Sequence, residues 1–353
     1  MKIVKIETHP VTMELKQPYT IAYETYETAT NVFMYLETDR GKVGFGCAAP
    51  DEHVTGETAE LIINDFNNIV SPIVLKTDPL RYSLILEKVR KLIPDHPATI
   101  AALDMALFDI LGKVCRLPLW KLLGGFREKI VTSITIGILQ EQETVEQAKE
   151  FVRQGFKAIK LKGGLDVESD IIRTLKVREA TGKNIALRFD ANQGYSVKQA
   201  IRFSEHVKKA NIEFIEQPTP AEDPELLGKV KANSTIPIMA DESLITTKDA
   251  FNLATKNLVD LFNIKLMKVG GISQSLKINA IAHGARLNVM VGCMDESALG
   301  IAAALHFVLA NPNIKYADLD GHFDLIGDPF KGAVILKDGF LLPSDKPGLG
   351  IKL

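Results

Sequence analysis

The stretch KAIKLKGG, residues 157–164, sets Lys160 and Lys162 two positions apart in an apolar run that reads as a strand. Side chains alternate faces along a strand, so these two ammonium groups point the same way and repel. Either they stand on a solvated rim, or something nearby holds two amines in one place. Other apolar runs also end in charge: Arg188-Phe189-Asp190, Phe214-Ile215-Glu216, Met239-Ala240-Asp241, Asn263-Ile264-Lys265 and Asp318-Leu319-Asp320. Positions 190, 216, 241 and 265 follow residue 160 at steps of 30, 26, 25 and 24 residues. One charged strand end is most simply a solvated loop start. Five in a row at nearly one spacing weigh against that reading.

Asp190, Glu216 and Asp241 offer three carboxylates from neighbouring strands. Crowded carboxylates repel or take up protons, and a hard divalent cation removes the conflict. All-oxygen donors suit magnesium (Mg2+), with manganese as the alternative; one ion per chain is expected. The seven histidines (9, 53, 96, 206, 283, 306 and 322) avoid the strand ends, which argues against a histidine-liganded centre. His322, just past Asp320, reads as a loop residue. Burial, a second ammonium and a divalent cation each lower a lysine pKa. All three would act on Lys160, Lys162 and Lys265, giving amines able to take a proton near neutral pH.

These residues need a scaffold that brings strand ends together. After Lys129, short apolar strands alternate with amphipathic helices. The strands are VTSITIGI, FKAIKLK, NIALRFD, IEFIEQP, PIMADES, VDLFNIK, LNVMVGC and IKYADLD. Eight such units predict an α/β chain with a (β/α)8-type barrel, an open doubly wound sheet being the competitor. In a barrel the charged ends converge on the C-terminal mouth. Lys162 on the second strand and Lys265 on the sixth then face each other across it. A substrate between them could lose a proton to one and regain it from the other, which inverts a carbon stereocentre.

Ahead of the barrel, KIVKIETHPV, NVFMYLETD and KVGFGCAAP read as antiparallel strands, the last two joined at Arg40-Gly41. QPYTIAYETYETAT, residues 17–30, follows no regular pattern. Residues 56–114 read as helical, with clear 3–4 spacing of apolar residues from Thr99 to Val114. Arg116-Leu117-Pro118 stops that run. The expected division is an α+β capping domain over 1–125 and the barrel over 126–324. The tail, 325–353, is expected to pack back on the capping domain.

The totals are those of an ordinary globular protein. The chain has 353 residues, 46% hydrophobic and 24% charged, with a net charge of −2. No global field draws it to nucleic acid or membrane. MKIVKIETHP reads as a strand and not as a signal peptide. No run of about 18 apolar residues suggests a membrane span. Cys47, Cys115 and Cys293 form no paired spacing, which fits a reducing compartment, by default the cytoplasm. A homo-oligomer is compatible with all of this.

KLK at 160–162, DANQG at 190–194, ADES at 240–243 and NIKLMKVGGI at 263–272 together resemble the enolase superfamily, in its muconate-lactonizing subgroup. The likeness covers essentially the whole chain. Within the subgroup, Asp318 and Asp320 make it similar to the dipeptide epimerases, those acting on L-Ala-D/L-Glu above all. The resemblance implies magnesium on Asp190, Glu216 and Asp241, holding the terminal carboxylate of a dipeptide. Lys162 and Lys265 would be the acid–base pair, with Lys160 neutralising the developing charge. Asp318 and Asp320, spaced to face one way, would clamp the dipeptide's ammonium. Cys293 and Asp295 after the seventh strand, and Thr135 near the end of the first, are further candidates for ligand contact. Stretch 17–30 would be a loop over the mouth, carrying Tyr26 and, where an Ala-Glu enzyme has an arginine, Glu24. A substrate side chain there would be small, apolar or cationic and not strictly glutamate. The alternatives on the same machinery are o-succinylbenzoate synthase and N-acylamino acid racemase.

Overall fold

The computed structural model describes residues 1–22 and 25–351. Strands β1 (Ile3–Thr20), β2 (Thr25–Thr38) and β3 (Val43–Ala48) form an antiparallel sheet in that order. The turn at Arg40-Gly41 closes with Gly41 N–H donating to the Thr38 carbonyl. Val32, Phe33, Met34 and Leu36 of β2 are buried. Of the stretch that lacked a pattern, residues 17–20 and 25–30 are also strand: Tyr19 pairs with Tyr26 and Thr20 with Thr25, after a register shift beyond Glu14. This part of the hairpin lies mostly outside the core, so no apolar alternation marks it. Its Tyr and Thr residues still favour extended backbone.

Helices follow, among them Tyr82–Leu92 and Pro97–Cys115. The second starts with proline in its first turn and ends at Arg116, whose φ of 57° is left-handed. It is buried almost all round, being packed against β3 on one side and the barrel on another. Gly44 and Gly46 of β3 allow that approach: a Cβ on Gly46 would meet the Ala102 carbonyl oxygen at 1.9 Å.

The short strand β4 (Ile130–Val131) precedes eight parallel strands: β5 (Ser133–Ile136), β6 (Ala158–Lys162), β7 (Ala186–Asp190), β8 (Ile212–Glu216), β9 (Ile238–Ala240), β10 (Leu261–Lys265), β11 (Asn288–Gly292) and β12 (Ile314–Ala317). They lie side by side in chain order, the (β/α)8-type arrangement expected from the repeat. The ends of the sheet meet through a Thr132–Ala317 bridge and the Ser133 hydroxyl, which donates to Asp318 at 2.6 Å. Phe214, Met239, Leu261 and Met290, with Tyr316 against them, form a separate apolar cluster. Phe214, Met239 and Tyr316 each stand two residues before an acid of the site, so strand alternation puts the cluster beneath those acids. The tail forms a hairpin of β13 (Val334–Lys337) and β14 (Phe340–Pro343), which pairs with β4. It then reaches the helix Pro97–Cys115, where Leu349 N–H donates to Asp109. No helix among the described residues is long and apolar enough to cross a membrane.

Candidate active site

Parallel register sets Lys162 level with Asp190, and Asp190 level with Glu216. Lys160 is only 2% exposed, which removes the solvated-rim reading. Its ammonium contacts Asp318 at 2.7 Å and both Asp190 and Glu216 at 3.1 Å. Lys162 donates to Asp190 at 2.8 Å and to Asn192 at 2.9 Å. Lys265 lies 2.8 Å from Asp241. Lys268 was not singled out from the sequence. It is fully buried and donates to both the carbonyl and the carboxylate of Asp241. Its only signal was a position three residues beyond Lys265, where the chain has already turned into the short helix Leu266–Val269.

Charge sets the protonation preferences. Burial, Asp190 and Asp241 push Glu216 up to about 8. Burial would also raise Asp190 and Asp241, but lysines hold both below the ordinary carboxylate range: Lys162 and Lys160 for Asp190, Lys265 and Lys268 for Asp241. Beside the carboxylates alone, Lys160 and Lys265 shift in the direction opposite to the one expected beside a cation. Burial alone would lower Lys160, yet Asp318, Glu216 and Asp190 hold it well above its usual value. Burial likewise opposes Lys265, and Asp241 overrides it. Carboxylates at contact distance outweigh the repulsion of a second ammonium.

A cavity of about 230 Å³ opens above these groups, lined by Lys160, Lys162, Lys265, Thr135, Cys293, Asp295, Asp318 and Asp320. Asp190, Glu216 and Asp241 are at most 1% exposed. Asp318 is engaged by Lys160 and the Ser133 hydroxyl; burial pushes it up, but Lys160 holds it down to about 2. Asp320 accepts the Thr135 backbone N–H at 2.7 Å, and burial with Asp318 pushes it up to about 7. The two aspartates share the cavity, and their surroundings push them in opposite directions. The Cys293 thiol lies 3.9 Å from Asp320. The β1–β2 hairpin closes over the opening: Tyr19 donates to Asp295 at 2.7 Å, Tyr26 to Asp51 at 3.1 Å, and the two rings stack 5.4 Å apart. Glu24 lies outside the described residues. Asn192, Glu242 and Asp51 also line the cavity and were not foreseen. All three follow strand ends, where the two-residue period no longer applies.

The residues fit a hard dication. Every nearby carboxylate oxygen is a hard donor, and Glu216 Oε2 and Asp241 Oδ2 are buried without a hydrogen bond of ordinary geometry. For both the pairing is incomplete and not absent, since Lys160 and Lys265 stand 3.1 and 2.8 Å from them. Among the described residues no three acidic, histidine or cysteine side chains already converge as a coordination cage. Lysine ammonium groups supply the positive charge there.

The chain matches the mandelate racemase / muconate lactonizing enzyme N-terminal domain over residues 3–124 and the enolase C-terminal domain-like family over 143–353. It therefore belongs to the mandelate racemase / muconate lactonizing enzyme family of the enolase superfamily. It is 41% identical to the L-Lys-D/L-Arg epimerase of Desulforapulum autotrophicum, covering 100% of this chain and 99% of that one. The substrate-liganded complex of the L-Ala-D/L-Glu epimerase from Bacillus subtilis superposes with a TM-score of 0.97 at 36% identity, over 99% and 98% of the two chains. The dipeptide epimerase of Enterococcus faecalis V583, solved with Mg and the dipeptide L-Leu-L-Tyr, gives 0.96 at 38% identity over 99% of each.

Proposed function

We propose that this protein is a magnesium-dependent dipeptide epimerase, an isomerase that inverts the α-carbon of the second residue. One observation carries the reading: two lysines, on the second and sixth strands of the barrel, line a single cavity beside three buried carboxylates. Asp190, Glu216 and Asp241 would hold the cation. When bound, it would fix the substrate's carboxylate and offset the second negative charge that α-proton removal places there. Lys162 and Lys265 approach from opposite sides, so one accepts the α-proton and the other delivers its replacement. Lys160 adds positive charge beside the reacting carboxylate, and Asp318 and Asp320 attract the dipeptide's ammonium.

Relatives named for Lys-Arg, hydrophobic and Ala-Glu dipeptides support a specificity wider than Ala-Glu. Among the described residues no arginine lines the cavity to pair with a glutamate side chain. Unpaired Cys47, Cys115 and Cys293 support a reducing, cytoplasmic setting. Incubation with a library of L-Ala-L-Xxx dipeptides and magnesium in heavy water is expected to give α-deuterium and the second epimer for some members. No deuterium in any of them would sink the proposal. K162A and K265A are each expected to abolish inversion while leaving exchange of one isomer only. N-succinyl or N-acyl amino acids, which lack the ammonium, are expected to be poor substrates; preference for them would favour the racemase alternative.

A further inference from the structure

The two lysines are not held alike. Lys162 donates to Asp190 Oδ2 at 2.8 Å and to Asn192 Oδ1 at 2.9 Å. A tetrahedral nitrogen bonded to Cε, with two N–H groups fixed, has one direction left, and Lys162 lines the cavity. Lys265 has Asp241 at 2.8 Å as an ion-pair partner. Among the described residues Lys265 has no second acceptor of the kind Asn192 gives Lys162.

The grip on Lys162 depends on which way the Asn192 amide faces. A lysine ammonium cannot accept a hydrogen bond, and a carboxylate cannot donate one. Asn192 stands between one of each, because its Nδ2 donates to Glu242 Oε1 at 3.2 Å. Both partners require the same orientation, and Glu242 holds the amide in it with Oδ1 toward Lys162. The main chain is pinned as well: Asn192 N–H donates to Asp190 Oδ1 at 3.0 Å, with a φ of 41°. Glu242 enters from the loop after β9, and both residues line the cavity.

We infer that Glu242 is a positioning residue for Lys162: through Asn192 it aims the free direction of the Lys162 nitrogen at the substrate α-carbon. Lys265 receives no such help. The inference rests on the two-lysine reading above. Glu242 also lies within electrostatic reach of Lys265, so the test has to separate the two lysines.

Single-lysine backgrounds do this. K265A leaves Lys162 alone with the isomer it serves, and K162A leaves Lys265. The readout is α-proton exchange in heavy water, with the most active dipeptide, its epimer and magnesium. If neither background exchanges a single isomer, the two-lysine reading itself fails. Glu242→Gln in the K265A background is expected to slow exchange on the order of 10- to 100-fold. In the K162A background it is expected to change exchange little. Asn192→Ala is expected to give the same split, and it serves if the Glu242 variant does not fold. Magnesium affinity, read by calorimetry, is expected to stay close to that of the parent. Equal losses in both backgrounds, unchanged exchange in the K265A background, or a fall in magnesium affinity that accounts for the loss would each overturn the inference.

Discussion

Lys160 makes three ion-pair contacts at 3% side-chain exposure, and removing it takes an ammonium from three buried acids, of which Asp190 alone keeps a second lysine, Lys162. Breaking a buried pair by deleting one partner costs about 3–5 kcal/mol, because the remaining charge stays buried and uncompensated. Lys160→Met keeps the volume and is expected to lose that much in urea unfolding. D318N relieves part of the strain, since the Asp318 carboxylate is the nearest partner of Lys160. The double variant is therefore expected to lose less than the two single losses together, by about 1–3 kcal/mol. Strict additivity would contradict the pairing. Lys160 and its neighbour Lys162 were legible because a strand's period of two makes like charges at i and i+2 an anomaly. Lys268, Asn192 and Glu242 were not. They follow strand ends in turns and a short helix, where no period says which way a side chain faces.

Among elements, the barrel strands were legible because each is a short apolar run of similar length repeated at similar spacing. The described residues near the end of the β1–β2 hairpin were not, since few of them are buried and polar contacts such as Tyr19 to Asp295 help to hold them. The contact between β3 and the helix Pro97–Cys115 depends on backbone proximity. Gly46→Ala would set its Cβ 1.9 Å from a carbonyl oxygen of that helix. Overpacking of this kind costs about 1–3 kcal/mol or more. Because the clash is with main chain, A102G is expected not to rescue it in thermal or urea unfolding. A second contact between elements is titratable. His306, in the helix Ala298–Ala310, accepts the Trp120 backbone N–H on Nδ1 at 3.0 Å, and burial lowers its pKa to about 4. The unfolded chain takes up this proton first, near 6.5. The neutral ring's contribution is therefore complete above about pH 6.5 and is lost as pH falls toward 4. Relative to H306N, the wild type is expected to lose about 3 kcal/mol across that window. Parallel stability curves for the two proteins would refute it.

For the whole molecule, the question is what the cation does for the fold and what it does for the reaction. In this structure Asp190, Glu216 and Asp241 already face four lysines, whose ammonium groups stand within 3.1 Å of these acids in the core. The barrel closes through Thr132, Ser133 and Ala317, and the hairpin over the mouth docks on Asp295 and Asp51. None of these contacts involves the oxygens proposed to hold the ion. Chelation is therefore expected to abolish α-proton exchange while far-ultraviolet circular dichroism and the cooperativity of unfolding are retained. An ion bound only by the folded chain still adds RT ln(1 + [L]/Kd), about 2.7 kcal/mol at a hundred times Kd. Unfolding midpoints should thus climb with magnesium concentration and level off at no point within the accessible range, whereas sodium at matched ionic strength should not reproduce the climb. Collapse of the circular dichroism signal on chelation would mean that the lysines cannot balance the acids alone. A midpoint indifferent to magnesium would mean that the three acids do not hold it.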